Sequence, residues 1–182
     1  CWLRVFESNS VIRLGANGDG TLFMTNGASA YWDRDFLLEG NLRVQNGGKV
    51  MHTLNDTSDK DYRLNPHVTG WVTVDAGGSI TTQDKGFSKA YGPGAPTLVG
   101  YTARGGTHGG RAWDNGGIAC YGSIRCPTDL GSGSANYASG GAMKLVVDGV
   151  LTNNGTITSQ GTGGTTGSSG GSVCIVATNI VG

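Results

Sequence analysis

Two ten-residue stretches of this chain repeat each other at an offset of thirty positions, and this repeat limits the possible folds more than any other feature. Residues 41–50 read NLRVQNGGKV and residues 71–80 read WVTVDAGGSI, and the two align without a gap. Both alternate apolar and polar residues, pass through a polar residue at Gln45 or Asp75 and then a Gly-Gly step, and place an aliphatic residue last. Alternation with a period of two indicates strands with one buried face. A fixed repeat of this length indicates successive turns of chain that stack on each other.

Looser copies of the pattern occur along the rest of the chain. They lie at 145–161 and 172–182, and an early imperfect copy lies at 11–15 and 20–24. The short predicted strands are separated by Asn-Gly or Gly-Gly steps, which favour the positive-φ corners between faces of a coil. No apolar run keeps the 3.6-residue spacing of a helix. We therefore expect an all-β parallel β-solenoid, with residues 1–182 as one domain that is either complete or a segment of a longer repeat chain.

Two insertions are predicted between the repeats. The first, at about 51–70, is polar, and the second, at about 85–141, is long and rich in glycine. A structureless loop of the second length is uncommon inside a compact domain. We expect it to be an ordered excursion packed on one face of the solenoid.

Composition excludes several classes of protein. Glycine accounts for 34 of the 182 residues, far above the usual ~7%, but no strict three-residue period indicates collagen. The 13 basic and 13 acidic residues balance, whereas proteins that bind nucleic acid carry a basic stripe. No apolar run reaches the ~18 residues of a membrane-spanning helix. We expect neither a nucleic-acid partner nor a membrane span.

The four cysteines show no CxxC pair of the kind that binds zinc. Cys120 and Cys126 bracket the short loop YGSIR, and we expect them to form a disulfide. Cys1 and Cys174 are a possible second pair, and buried free thiols are the alternative. A disulfide implies an oxidising, extracellular or cell-surface location.

Glycine-rich motifs recur through the second part of the chain. They are GGSITTQDKG at 77–86, YGPG at 91–94, GGTHGGR at 105–111, YGS at 121–123, PTDLGSGS at 127–134, GGAMKLVVDGVLTNNGTITSQG at 140–161 and GGSVCIVATNIVG at 170–182. With these motifs the chain resembles the right-handed β-solenoid modules found in large secreted surface proteins of bacteria and protists. This resemblance covers roughly residues 70–182 and implies a parallel β-helix with a stalk, adhesin-like or matrix role. It implies no catalytic residues.

Candidate sites for calcium are carboxylates in polar turns, since oxygen ligands suit this cation. The alternative is that these residues simply form turns, because neither a complete EF-hand nor a β-roll nonapeptide is present. No other cofactor is expected. The candidates are Asp19 in NGDG, Asp56, Asp59, Asp61 and Asp84.

Carbohydrate is a second possible partner. Flat aromatic side chains stack on sugars, and the candidates are Trp113, Tyr91, Tyr101 and Tyr121, with packing of the insertion as the alternative role. Two sequons place candidate glycosylation at Asn55 and Asn154, where corner residues are an equal explanation.

The leading functional interpretation is an extracellular structural protein of a surface or matrix, not an enzyme. The chain begins in a strand-like run and ends within a repeat without a charged or proline-bearing cap, which predicts end-to-end self-association into a fibre. The alternative is a glycan-binding adhesin. A less favoured one is a polysaccharide lyase that uses Arg104, His108 and Arg111, since no GxSxG or HExxH motif is present.

Overall fold

The computed structural model describes residues 2–5, 7–97, 104–112 and 118–182, which contain β-strands and no helix. The all-β prediction is therefore confirmed. The strands are β1 Trp2–Val5, β2 Ser10–Arg13, β3 Thr21–Met24, β4 Ser29–Trp32, β5 Asp35–Glu39, β6 Asn41–Val44, β7 Lys49–Met51, β8 Asn65–Val68, β9 Val72–Val74, β10 Ser79–Thr81, β11 Ala142–Asn153, β12 Thr156–Thr158 and β13 Ser172–Val181.

All strand pairs between these elements are parallel, and each strand from β1 to β7 pairs with the third strand after it. One sheet has the order β1-β4-β7-β10-β12, and the other has the order β2-β5-β8-β11-β9-β6-β3 with β13 added to β11. The long strand β11 joins two branches of the second sheet, because its first half pairs with β8 and its second half pairs with β9. Three series of stacked strands result.

The thirty-residue repeat is visible directly in the register of the sheets. Leu42 pairs with Val72 in the second sheet, and Val50 pairs with Ile80 in the first. The two copies recognised in the sequence therefore lie side by side. Their predicted corners are also confirmed, since Gly47 and Gly77 have φ of 75° and 79°, and Gly27 in the preceding turn of chain has φ of 79°. These corners stack through Gly27 N–H to Gly47 O and Gly47 N–H to Gly77 O hydrogen bonds of 3.1 and 3.0 Å.

The core includes three ladders of inward apolar side chains, one for each series of strands. The middle members of every ladder are buried, because neighbouring strands cover them on both sides. The ladders are Leu3–Ala30–Val50–Ile80–Ile157, Ile12–Leu38–Val68–Val147–Ala177 and Leu22–Leu42–Val72–Leu151–Ile180.

The first insertion is shorter than the predicted 51–70. Its end contains strand β8, in which Pro66 and Val68 face the core, and its first residue, Met51, closes β7. The prediction was wrong here because an inward position of this strand is occupied by Pro66. A proline lacks a backbone donor, and this usually argues against a strand inside a sheet.

The second insertion follows β10 and leads into β11, and its described residues form no strand of their own. Backbone hydrogen bonds order it, among them Gly131 N–H to Gly140 O at 2.9 Å and Gly140 N–H to Ser169 O at 3.0 Å. Backbone segments of the insertion approach each other so closely that a β-carbon on Gly133 would overlap the carbonyl of Ser88. A small apolar cluster of Phe87, Leu130 and Ala142 packs the insertion against β11.

Candidate functional site

The outermost strands at the two ends of the sheets have one open side each. At one end, β1, β2 and β3 pair only with β4, β5 and β6 among the described strands. At the other end, β12 pairs with β10, and the ten-residue β13 pairs with both halves of β11. An open edge presents backbone N–H and C=O groups that can hydrogen-bond to a further strand. This surface can therefore add chain in parallel.

Ile180 is the clearest sign that the β13 edge is unsatisfied. It continues the ladder of Leu42, Val72 and Leu151, each of which is 0% exposed, yet Ile180 itself is 55% exposed. The terminal members of the other ladders, such as Ile12 and Ile157, are partly buried. Among the described strands, none covers the inward side chain of Ile180 as the next strand covers each inner member of its ladder.

The β12–β13 edge also lacks the features that usually block strand addition. Its two strands read TIT and SVCIVATNIV, without a charged residue or a proline. Such residues are the common protection of edge strands. Elsewhere on the surface, ion pairs link a strand to residues beside the neighbouring strand, as Arg43 Nε does with Asp75 Oδ2 at 2.9 Å and Asp35 does with Arg63 at 3.1 Å.

A buried polar network stabilises the corner beside the first insertion. Asp33, 1% exposed, accepts hydrogen bonds from Arg4 Nε at 3.0 Å and from the Thr53 backbone N–H at 2.6 Å. His52, which precedes Thr53 in the chain, is fully buried. Its Nε2 accepts a hydrogen bond from the Ala142 backbone N–H. Its Nδ1 therefore carries the proton and donates to the Thr53 carbonyl at 2.7 Å. This neutral tautomer satisfies both ring nitrogens, and burial lowers the pKa of His52 from 6.5 to about 4.

We expect the protein to lose stability in mild acid because of His52. As the pH falls below 6.5 the unfolded chain binds a proton on this side chain, whereas the folded chain does not until about pH 4. The free energy of unfolding should therefore fall by about 2 kcal/mol between pH 6.5 and 5, and by about 3 kcal/mol in all by pH 4. Urea unfolding across this range measures the loss.

The control is His67, which is exposed and contacts Asp148. His67→Gln should keep the acid-dependent loss between pH 6.5 and 5, and His52→Gln should remove most of it. Equal stability of the unsubstituted protein at pH 6.5 and pH 5 would contradict the role assigned to His52.

The carboxylates predicted to bind calcium are spread over separate parts of the surface. Asp56, Asp59 and Asp61 are exposed in the first insertion, and Asp84 accepts a hydrogen bond from Thr162 Oγ1. Asp19 lies in a turn whose backbone carbonyl accepts from Asn41 Nδ2. Within the described ranges, no three His, Cys, Asp or Glu side chains are grouped as metal ligands would be. Calcium binding stays a prediction.

Two of the four cysteines lie together, in a combination different from the predicted ones. Cys126 Sγ is 2.7 Å from Cys174 Sγ, while Cys120 is exposed and Cys1 lies outside the described residues. The physical reason is a contact just after Cys126: Ser172 Oγ donates to the Asp129 carbonyl at 2.7 Å and holds this segment beside the start of β13.

Of the aromatic residues proposed to stack on sugars, Tyr91 and Tyr121 fall in the described part of the chain, and Trp113 and Tyr101 lie outside it. Tyr91 is exposed. The Tyr121 hydroxyl donates to the Leu130 carbonyl at 2.6 Å, and burial raises the pKa of Tyr121 to about 12. Tyr121 therefore packs the insertion, and glycan binding stays a prediction.

The two candidate glycosylation sites differ in accessibility. Asn154 is exposed, but Asn55 is buried, and its Nδ2 donates to the carbonyls of Tyr62 and Lys85 at 3.0 Å each. A glycan on this nitrogen would displace both hydrogen bonds and has no space in the folded chain. Asn55 is therefore no longer a candidate for glycosylation, because its side chain forms hydrogen bonds that hold the first insertion in place.

Two of the three cationic residues considered for a lyase, Arg104 and His108, contact backbone carbonyls. His108 Nδ1 lies 3.1 Å from the Gly170 oxygen, and Arg104 donates to the Thr97 carbonyl at 3.2 Å. Burial lowers the pKa of His108. Arg111 is exposed. The hydrogen bonds to carbonyls agree with a structural role for Arg104 and His108 in holding glycine-rich chain together.

Sequence reasoning missed three residues of consequence: Ile180, His52 and the Cys126 partner of Cys174. Alternation from Ile175 and Ala177 would place Asn179 inward, and Ile180 faces inward instead because the register of β13 on β11 shifts after Ala177. The described residues contain no helix able to cross a membrane.

No protein-family model matches the chain, and neither a curated protein nor a solved structure matches it.

Proposed function

We propose that this chain is an extracellular structural protein, a right-handed parallel β-solenoid whose copies stack end to end into a fibre of a cell surface or matrix. The right-handed sense is supported by the general rule that crossovers between parallel strands of one sheet have this hand in about 98% of cases. The observation that carries the proposal of stacking is the parallel pairing of the described strands in three series, which lets one copy continue the series of another.

The two ends of the molecule match each other strand for strand. The series that begins with β1 ends with β12, and the series that begin with β2 and β3 end with the first and second halves of β13. Because all pairs are parallel, the β1–β3 end of one copy can continue every series from the β12–β13 end of another. In this arrangement Ile180 packs on Leu22 of the next copy.

The contact joins two different surfaces, so it is heterologous. A heterologous contact that does not close into a ring produces an open filament. Stacking along the axis of the three ladders translates each copy in one direction, and the expected product is therefore a fibre. The Cys126–Cys174 proximity supports the extracellular location, since disulfides persist in oxidising compartments.

Association of the purified chain over a concentration series tests this function. Sedimentation velocity at neutral pH should show a loss of monomer above a critical concentration, and negative-stain electron microscopy of the same samples should show unbranched fibres. Dispersed monomers at every concentration up to the solubility limit would overturn the proposal.

A further inference from the structure

The contact between Cys126 and Cys174 joins two parts of the chain that are far apart in sequence. Cys174 lies in β13 and pairs with Lys144 of β11, whereas Cys126 lies at the exposed surface of the second insertion. Their Sγ atoms are 2.7 Å apart across a separation of 48 residues. A small movement brings the two atoms to the ~2.05 Å of a disulfide bond.

Other contacts hold the two cysteines in place without a covalent bond. The Ser172–Asp129 hydrogen bond anchors the chain three residues after Cys126, and Asp129 also accepts from Lys60 Nζ at 2.9 Å. On the other side, the parallel register of β13 on β11 fixes Cys174. The reduced protein therefore already presents the two thiols to each other.

We propose that Cys126 and Cys174 form a disulfide that fastens the glycine-rich insertion to the edge strand β13, and that Cys120 is left as a free thiol. The bond ties down the outermost strand of the second sheet, which is otherwise paired on one side. The inference rests on the sulfur contact and its anchors and does not require stacking. Its failure would remove support for an extracellular location but would leave the fibre test unaffected.

The oxidant is a small-molecule disulfide such as oxidised glutathione. The exposed Cys126 thiolate attacks one of its sulfurs, forms a mixed disulfide and releases one glutathione thiolate. The Cys174 thiolate then attacks the Cys126 sulfur and releases the second glutathione. The two protein thiols lose two electrons and two protons, and the two glutathione molecules take them up. Cys126 reacts first because it is exposed and Cys174 is buried.

Tryptic mapping separates all possible pairings. Cleavage after Arg4, Arg111, Arg125 and Lys144 places the four cysteines in four different peptides, 1–4, 112–125, 126–144 and 145–182. The protein is oxidised with glutathione disulfide, alkylated in acid and digested without reductant. Mass spectrometry should find 126–144 linked to 145–182, and 112–125 alkylated. A 112–125 to 126–144 link, or recovery of both 126–144 and 145–182 as alkylated peptides, would overturn the proposal.

Thermal unfolding gives a second measurement with a matched control. Reduction of the oxidised protein should lower its Tm by about 5–10 °C, because the bond closes a long loop. Cys120→Ser should show the same reductant-dependent shift, and Cys126→Ser should show none. A shift that survives in Cys126→Ser, or is lost in Cys120→Ser, would assign the disulfide to another pair.

Discussion

Ile180→Asp is expected to abolish end-to-end association while the chain remains folded. In a single copy this position is 55% exposed, so a carboxylate there still reaches water. In a stack the same carboxylate would be buried against the inward ladder without a partner, at a cost of about 3 kcal/mol or more. The critical concentration should therefore rise by at least about 100-fold, as measured by sedimentation velocity.

Val176→Asp is the matched control for this substitution. Val176 lies on the same strand and is 51% exposed, but it pairs with the outward-facing row of Val146 and His67. A carboxylate on the outward row stays in solvent in the stack. Val176→Asp should therefore assemble close to the unsubstituted protein. Equal effects of the two substitutions would show that the inward ladder does not form the contact.

Gly133→Ala is expected to destabilise the second insertion severely. A β-carbon at this position would overlap the carbonyl of Ser88, and the Gly133 N–H donates to the Tyr91 oxygen at 3.0 Å. The obstacle is backbone, which cannot rotate away as a side chain can. We expect a loss of about 3 kcal/mol, at the upper end of the range for overpacked sites. Hydrogen exchange of the insertion amides shows the loss even when unfolding is local.

Gly163→Ala is the control in the same kind of glycine-rich sequence. A β-carbon there has no atom within 4 Å, and the residue is exposed. The free energy of unfolding should change by less than about 0.5 kcal/mol. If Gly133→Ala were as mild as Gly163→Ala, the close backbone packing assigned to the insertion would be wrong.

The repeated strands were predictable because their signal is local. The alternation at 41–50 and 71–80, with its Gly-Gly step, specifies strands, a corner and an offset, and the register of Leu42 on Val72 follows from the same offset. β8 was not predictable in this way. Asn65–Val68 contains a proline, and the strand is stabilised by β5 on one side and β11 on the other, with β11 more than seventy residues later in sequence.

The contacts of the insertion depend on its path, which no local pattern encodes. Asn55 reads as an exposed sequon, but Lys85 and Tyr62 fold back over it. Cys126 was assigned to Cys120 because they are close in sequence, whereas the chain carries Cys126 to β13. His52 has no sequence signal at all, since its partner Ala142 lies 90 residues away.

The spacing of subunits along the fibre is the most direct test of the account. Each ladder contains five side chains, one from each stacked strand, and neighbouring strands are ~4.8 Å apart. Cryo-electron microscopy of fibres should therefore show an axial rise of about 24 Å per copy, with a strand spacing of ~4.8 Å along the fibre axis. Fibres whose strands do not stack along the axis, or whose rise per copy is unrelated to five strand spacings, would contradict end-to-end stacking through β12 and β13.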